Sequence, residues 1–257
     1  MAGRRSSRSL AVACSAALLA SCLACGLLRS QQSPPGQVTV KVELTPAAVS
    51  RKQPKKLRDA SNVAVWLVPV DDSGAEKPAR AGRPQPPPKL VQRNKTFEPH
   101  LLVVPTGTIV QFPNEDPFFH NVFSLYDGKR FDLGLYEAGT SRNVHFDRPG
   151  VSILFCNIHP EMSAVVVAVE TPYYGASDAQ GQVVLTGVPD GRYMMHVWSE
   201  RSTADSLKQA EAIVNISASA RDIGPVRIAE NPQFTFAHKN KYGQDYVPPS
   251  NAGYSPH

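Results

Sequence analysis

Cys156, His159 and Met162 fall in the short stretch Cys-Asn-Ile-His-Pro-Glu-Met, and His120 stands upstream in Asn-Glu-Asp-Pro-Phe-Phe-His-Asn-Val-Phe. Two imidazoles, one thiolate and one thioether form the ligand set that suits copper in an electron-transfer site. Copper(I) and copper(II) prefer different geometries. Two nitrogens and a thiolate in a near-trigonal array, with a weak axial sulfur, serve both. Taken singly, each residue reads more blandly: Met162 as core, His120 as a satisfied histidine, Cys156 as a small buried hydrophobe. Taken together in this order, they point to a single metal ion. Zinc could use the imidazoles and the thiolate, but a thioether is a poor zinc ligand.

Cysteine usage sharpens that reading. Cys14, Cys22 and Cys25 lie in the N-terminal segment, so beyond it Cys156 stands alone. A lone thiol in an oxidising compartment invites unwanted chemistry unless it is buried or metal-bound. Export is expected from Arg4, Arg5 and Arg8 followed by the apolar run 10–19. Residues 1–21 therefore read as a signal peptide. Leu19-Ala20-Ser21-Cys22 resembles a bacterial lipobox, with Cys22 as the lipidated residue and 22–36 as a flexible tether. A soluble secreted form cut at nearby small residues, or a retained anchor, are the alternatives. The run is too short and broken for a clear membrane span. The expected location is the periplasm, lipid-anchored to the outer membrane, with a soluble periplasmic form as alternative. Membrane contact is then expected only through Cys22.

The formal charge of +5 overstates the basic character of the exported chain. Removing Arg4, Arg5 and Arg8 leaves 24 basic side chains against 22 acidic ones. The remaining positive clusters, 52–58 and 77–89, lie in proline-rich stretches without interleaved aromatics, so nucleic-acid binding is not expected.

The elements that must position the four ligands are short strands. Glycine (17) and proline (23) are frequent and long helix-period stretches are absent, which favours strands joined by rigid turns. Period-two alternation marks 37–44, and 62–70 is a more apolar strand. Further strands are expected at 90–93, 101–104, 109–112, 121–125, 141–146, 152–155 and 163–170. In the last, Val165, Val167 and Val169 share one face and Val166 and Ala168 the other. Strands at 182–185, 192–199 and 211–216 follow, with Tyr193 and Trp198 as bulky core candidates. In this order Cys156 ends a strand, His159 occupies the turn, Met162 precedes the next strand and His120 begins another. Asn121 is placed to brace the Cys156 loop through its amide. Phe119 and Pro160 are placed to form an apolar rim beside His159, while Phe118 and Phe119 could equally fill core. His100, His145 and His196 have no comparable partners and are left outside the site. From 231 onward the chain is polar, with Tyr242, Tyr246 and Tyr254 scattered among Pro and Gly, and is expected to order only where it docks.

Residues 89–170 resemble the cupredoxins, the blue copper proteins, and most closely their amicyanin-like, methylamine-utilisation-type members. The matching pieces are Phe97-Glu98-Pro99, the run from Pro105 through Gly107 and Phe112 to Asn114, His120-Asn121-Val122, and the run from Cys156 to Met162. The resemblance implies a Greek-key sandwich that shuttles one electron through the exposed edge of His159. It also implies one type 1 copper ion on His120, Cys156, His159 and Met162, with Asn121 bracing the ligand loop. The flanks resemble a transthyretin-like or carboxypeptidase-regulatory-like sandwich, on the run from Ser177 through Gly181 and Gly191 to Tyr193.

The expected fold is therefore all-β: a cupredoxin sandwich plus a second small β-sandwich. Residues 37–70 and 171–218 would form the second sandwich, split by a Pro-rich linker (71–88) and the copper domain (89–170). The ends of the insert, near Asp71 and Thr171, should then lie close together. Tandem domains are the alternative. Residues 219–257 would be a polar C-terminal extension. The expected function is single-electron transport in the bacterial envelope, with a cytochrome or periplasmic oxidoreductase as partner. Alternatives are copper storage or delivery, and a non-catalytic binding or structural module. No enzyme is expected, because four protein ligands leave the metal no open position and no nucleophile–base pair stands out.

Overall fold

The structure, a computed structural model, describes residues 36–46, 59–70, 86–126, 128–235 and 238–246. The expected signal peptide, Cys22, nearly all of the tether and most of the linker lie outside the described residues. Among the described residues no helix is long and apolar enough to cross a membrane.

In chain order the elements are β1 (Val38–Thr45), β2 (Ala64–Pro69), β3 (Val91–Arg93), β4 (Thr96–Glu98), β5 (Leu101–Pro105), β6 (Thr108–Pro113), β7 (His120–Ser124) and β8 (Phe131–Tyr136). They continue with β9 (Ser141–Phe146), β10 (Gly150–Phe155), β11 (Ser163–Val169), β12 (Tyr174–Ala176), β13 (Gln182–Leu185) and β14 (Gly191–Trp198). A short helix α1 (Ala204–Ala210), capped where the Thr203 hydroxyl accepts the Ser206 N–H, precedes β15 (Ala212–Ile216) and β16 (Asp222–Ala229). The protein is all-β apart from α1.

Two cores organise these strands. The first joins sheet β13-β1-β16 to sheet β12-β2-β14-β15. Between them Val38, Val40, Val42, Leu67, Leu185, Tyr193 and Ile228 are buried. The alternation of β1 explains its part: Val38, Val40, Val42 and Leu44 point inward while the residues between face outward. The Thr171 hydroxyl donates to the Leu67 carbonyl (2.7 Å), bringing the chain after β11 back beside β2.

The second core lies between the five-stranded sheet β5-β11-β10-β7-β8 and the pair β6-β9, which β3 joins through the bridges Lys89 to Gln111 and Gln92 to Asn114. Phe112, Phe146, Leu154, Val110 and Leu90 fill it, and Cys156 and Met162 belong to the same cluster. Such a core from two facing sheets is the double sandwich of cupredoxin type.

β11 is apolar on both faces for a reason. Val166 and Ala168 enter the second core. Val165, Val167 and Val169 pack outward against Leu101, Val103 and Ala64, with Trp66, Tyr174 and Trp198 at the margin. A strand buried on both sides reads as a continuous apolar run. Two expectations need correction. Residues 219–257 are not all extension, because β16 pairs in parallel with β1 from Thr39 opposite Asp222 to Thr45 opposite Ala229. β4, β8 and β12 are additional strands between those expected.

Candidate metal centre

β10 runs antiparallel to β11, and the loop between them carries Cys156, His159 and Met162. Two backbone hydrogen bonds close this loop: Cys156 N–H to the Met162 carbonyl (3.2 Å) and Met162 N–H to the His159 carbonyl (3.1 Å). β7 lies on the other side of β10, with Phe123 opposite Phe155, and its first residue is His120. Hydrogen bonding across one sheet thus fixes a distant histidine beside the loop that holds the thiol.

His120, Cys156 and His159 form one cluster with donor atoms within 4.8 Å of one another. His120 Nδ1 lies 3.1 Å from His159 Nδ1 and 3.8 Å from Cys156 Sγ, and His159 Nδ1 lies 3.6 Å from the sulfur. A trigonal ion with ordinary metal–imidazole and metal–thiolate bonds needs N to N of about 3.5 Å and N to S of about 3.8 Å. The two N-to-S edges match these separations closely, and the N-to-N edge is short by about 0.4 Å, a small opening of the two rings. Met162 is fully buried in the same core, one residue before β11.

The tautomer of His120 is set by a residue that the sequence reading missed. Asp116, itself buried, lies 2.8 Å from His120 Nε2. The ring therefore donates from Nε2 and presents the Nδ1 lone pair to the cluster. Burial works against the Asp116 carboxylate. The amides of Lys95 and Asn94 and the His120 ring outweigh it and hold Asp116 below the usual carboxylate range. Those amides come from the turn between β3 and β4, where Asn94 (φ 52°) and Lys95 (φ 56°) both take left-handed backbone. The visible signal was an acid four residues before His120, but nothing local showed that it turns inward.

Burial pushes the Cys156 thiol up, opposed by the backbone N–H groups of Asn121, Ile158 and His159 that face the sulfur. A thiol so placed ionises readily only when a cation takes the proton's place. Burial, then the neighbouring His120, holds His159 below the ordinary imidazole range, so the ring is neutral and its lone pair available. One expectation about this shell is corrected. The Asn121 side-chain amide does not brace the Cys156 loop. It donates to Asp132 Oδ1 (2.7 Å) and the Gly134 carbonyl (2.9 Å) on β8, and its backbone N–H is what reaches the thiol.

Phe118 packs against both imidazoles, with ring centroids 5.2 Å from His120 and 5.5 Å from His159. Phe119 is 55% exposed and Ile158 42%, and Ile158 and exposed Pro160 flank the half-buried His159 along the chain. His100, His145 and His196 all lie outside the cluster; His196 pairs instead with Glu211 (2.7 Å). The polar segment near the C-terminus docks on the ligand loop, where the Tyr246 hydroxyl donates to the Cys156 carbonyl (2.7 Å). Burial foremost, and then the nearby Cys156, pushes that phenol up to about 12, so it stays a donor.

Fold and cluster together define an all-β protein with a cupredoxin-type sandwich and a histidine–cysteine–histidine cluster that can hold a metal ion, its donor set suited to copper. No protein-family model matches the chain, and no curated protein does. Among solved structures it is similar to a purple cupredoxin from Nitrosopumilus maritimus, at 23% identity over 32% of this chain and 99% of that one, with a TM-score of 0.30. It is also similar to a copper-containing nitrite reductase from Thermus scotoductus SA-01, at 26% identity over 40% of this chain and only 28% of that one, TM-score 0.32. A reduced amicyanin variant matches at 20% identity over 32% and 82%, TM-score 0.31.

Proposed function

We propose that this protein is a type 1 copper protein that carries single electrons in the bacterial cell envelope. The observation that carries the reading is the convergence of two imidazole Nδ1 atoms and one buried thiol, with both fully buried ligands fixed by the same sheet. His120, Cys156, His159 and Met162 would hold the copper. Copper bound there supplies a one-electron couple.

The chain's own residues do the rest. Asp116 keeps His120 in one tautomer and one orientation. The closed loop from Cys156 to Met162 limits movement when the charge of the site changes. Phe118 and the sandwich core exclude water from the thiol, while the half-buried His159 edge remains accessible between exposed Ile158 and Pro160. That rim would receive a redox partner such as a cytochrome or a periplasmic oxidoreductase. With four protein ligands no substrate position remains, so the protein acts as a carrier and not an enzyme. The copper sandwich is carried as an insert in the flanking sandwich, and Cys22 is lipidated after export, anchoring the protein to the outer membrane.

Copper titration of the purified protein tests the reading. An intense visible absorption from the oxidised protein, with reversible one-electron cycling, is expected. Weak, labile and colourless copper would move the function to storage or delivery. A protein that ignores copper would leave a binding or structural module.

A further inference from the structure

We infer that residues 238–246 are a built-in clasp on the metal centre, in which Tyr246 is a positioning residue for Cys156. The inference rests on the copper reading and extends it to residues outside the sandwich that supplies the ligands.

Between 238 and 246 three residues make contacts on and around one ligand. Tyr246 donates its hydroxyl to the Cys156 carbonyl (2.7 Å), while the Cys156 N–H is taken by Met162 within the loop. Both backbone groups of the thiol residue are therefore held, one of them from 90 positions away in sequence. On one side of Cys156, the His238 ring stacks on Phe155, with centroids 4.1 Å apart and planes at 29°. On the other side, the Lys241 N–H donates to Asn157 Oδ1 (2.9 Å). The Lys241 ammonium then reaches Asp132 (2.7 Å), the same carboxylate that accepts the side-chain amide of Asn121, next to His120. One short segment thus grips the thiol loop directly and the first histidine's neighbour through one carboxylate.

The segment is shaped by hydrogen bonds of its own. Asn240 organises a turn: its carbonyl accepts the Gly243 N–H, its Oδ1 accepts the N–H groups of Tyr242 and Gln244, and its own N–H donates to the Gln244 carbonyl. Gly243, at φ +77°, supplies the left-handed residue this turn needs. The turn sets Lys241 and Tyr246 on the same docking face. His238 lies edge-on to the Tyr246 ring, at 87°, with Nδ1 3.3 Å from the phenol oxygen.

The chemical consequence follows from where the hydroxyl points. A donor on the carbonyl of a ligand cysteine draws electron density from the thiolate residue and favours the electron-richer, reduced state of the site. It also keeps the loop from opening to water. Tyr246 therefore raises the reduction potential and slows copper loss.

The test compares the full-length wild type with Tyr246→Phe, which removes only the oxygen, and with Lys241→Ala. Three readouts are taken: amide exchange of residues 156–162 in copper-free protein, copper extraction by a chelator, and the reduction potential. In Tyr246→Phe, loop exchange is expected to rise on the order of fivefold, copper to leave about tenfold faster, and the potential to fall. Lys241→Ala is expected to move all three in the same direction by less. A coloured Tyr246→Phe protein with wild-type exchange, extraction and potential overturns the clasp and leaves the copper reading intact. A wild type that takes up no copper, while the exchange still rises, overturns the copper reading and keeps the grip of Tyr246 on the loop. Faster extraction at an unchanged potential overturns the tuning role.

Discussion

The two sandwiches are built from the same alternation of valines, yet they bury different polar chemistry. In the flanking sandwich the buried polar side chains are hydroxyls that pin neighbouring backbone: Ser177 to the Ala60 carbonyl and Thr171 to that of Leu67. In the sandwich that carries the cluster, buried hydroxyls (Ser124 and Ser152) are joined by amides, a carboxylate and an imidazole: Gln92, Asn114, Asp116, His120 and Asn121. Gln92, Asn114, Asp116 and His120 form a connected set through Tyr136. Gln92 donates to the Tyr136 hydroxyl, Asn114 takes the Asp116 N–H on its Oδ1 and gives its amide to the Phe118 carbonyl, and Asp116 holds His120. A strand-to-strand connection needs only a hydroxyl to satisfy one carbonyl. A ligand that must point at an ion cannot be oriented by apolar contact alone, so its support is polar and costly to leave incomplete. The contrast locates function at one end of one sandwich.

The sharpest way to break this contrast is Cys156→Ser. It should abolish visible absorption from bound copper altogether while leaving the thermal transition near that of the copper-free wild type. A serine variant that still coloured with copper would remove the thiolate from the site. The converse is Leu67→Ala in the fully buried core of the flanking sandwich. It should cost about 2–5 kcal/mol in denaturant unfolding and leave the copper spectrum and potential unchanged. A shifted spectrum would mean that the flanking core helps to set the site. Asp116→Ala comes next: copper affinity should fall about 10–100-fold, read by competition with a chelator. An unchanged affinity would show that the Asp116 contact does not orient His120.

The contrast was only partly legible from residue order. The ligands stood out because Cys156, His159 and Met162 are of rare types at close spacing. β9 and β13 were expected at their observed bounds, and the two faces of β11 were assigned as found, because period-two burial acts locally. What escaped depends on contacts between distant segments. β16 contains Gly224-Pro225, which reads as a break, and it is tolerated because β16 lies at the edge of its sheet and takes up the extra residue there as a register shift against Val40 and Val42 of β1. β8 carries Gly134 at φ +67° and three residues of intermediate burial, so its alternation is weak. Asp116 and Tyr246 look like ordinary loop residues until the fold turns them toward the ligands.

The smallest expected effect concerns acid, and it separates the support of the centre from its ligands. Asp132 is partly buried, which works against its charge. Lys241, the Gly134 N–H and the Asn121 amide outweigh that and hold the carboxyl below its ordinary value of 3.8. A depressed folded value means that the native state binds fewer protons than the unfolded chain. The stabilisation is then complete above the unfolded value and is lost as pH falls through the lower folded one. The link from Lys241 through Asp132 to Asn121 should therefore be insensitive to pH from 5 to 8. Asp132→Asn should lower thermal stability modestly at neutral pH, where it removes the charged partner of Lys241. Its difference from the wild type should shrink below about pH 4 and vanish once the wild-type carboxyl is protonated. Thermal denaturation of both proteins across that range is the measurement. A gap that persists undiminished in acid would mean that the geometry of the side chain, and not its charge, holds β8 against Asn121.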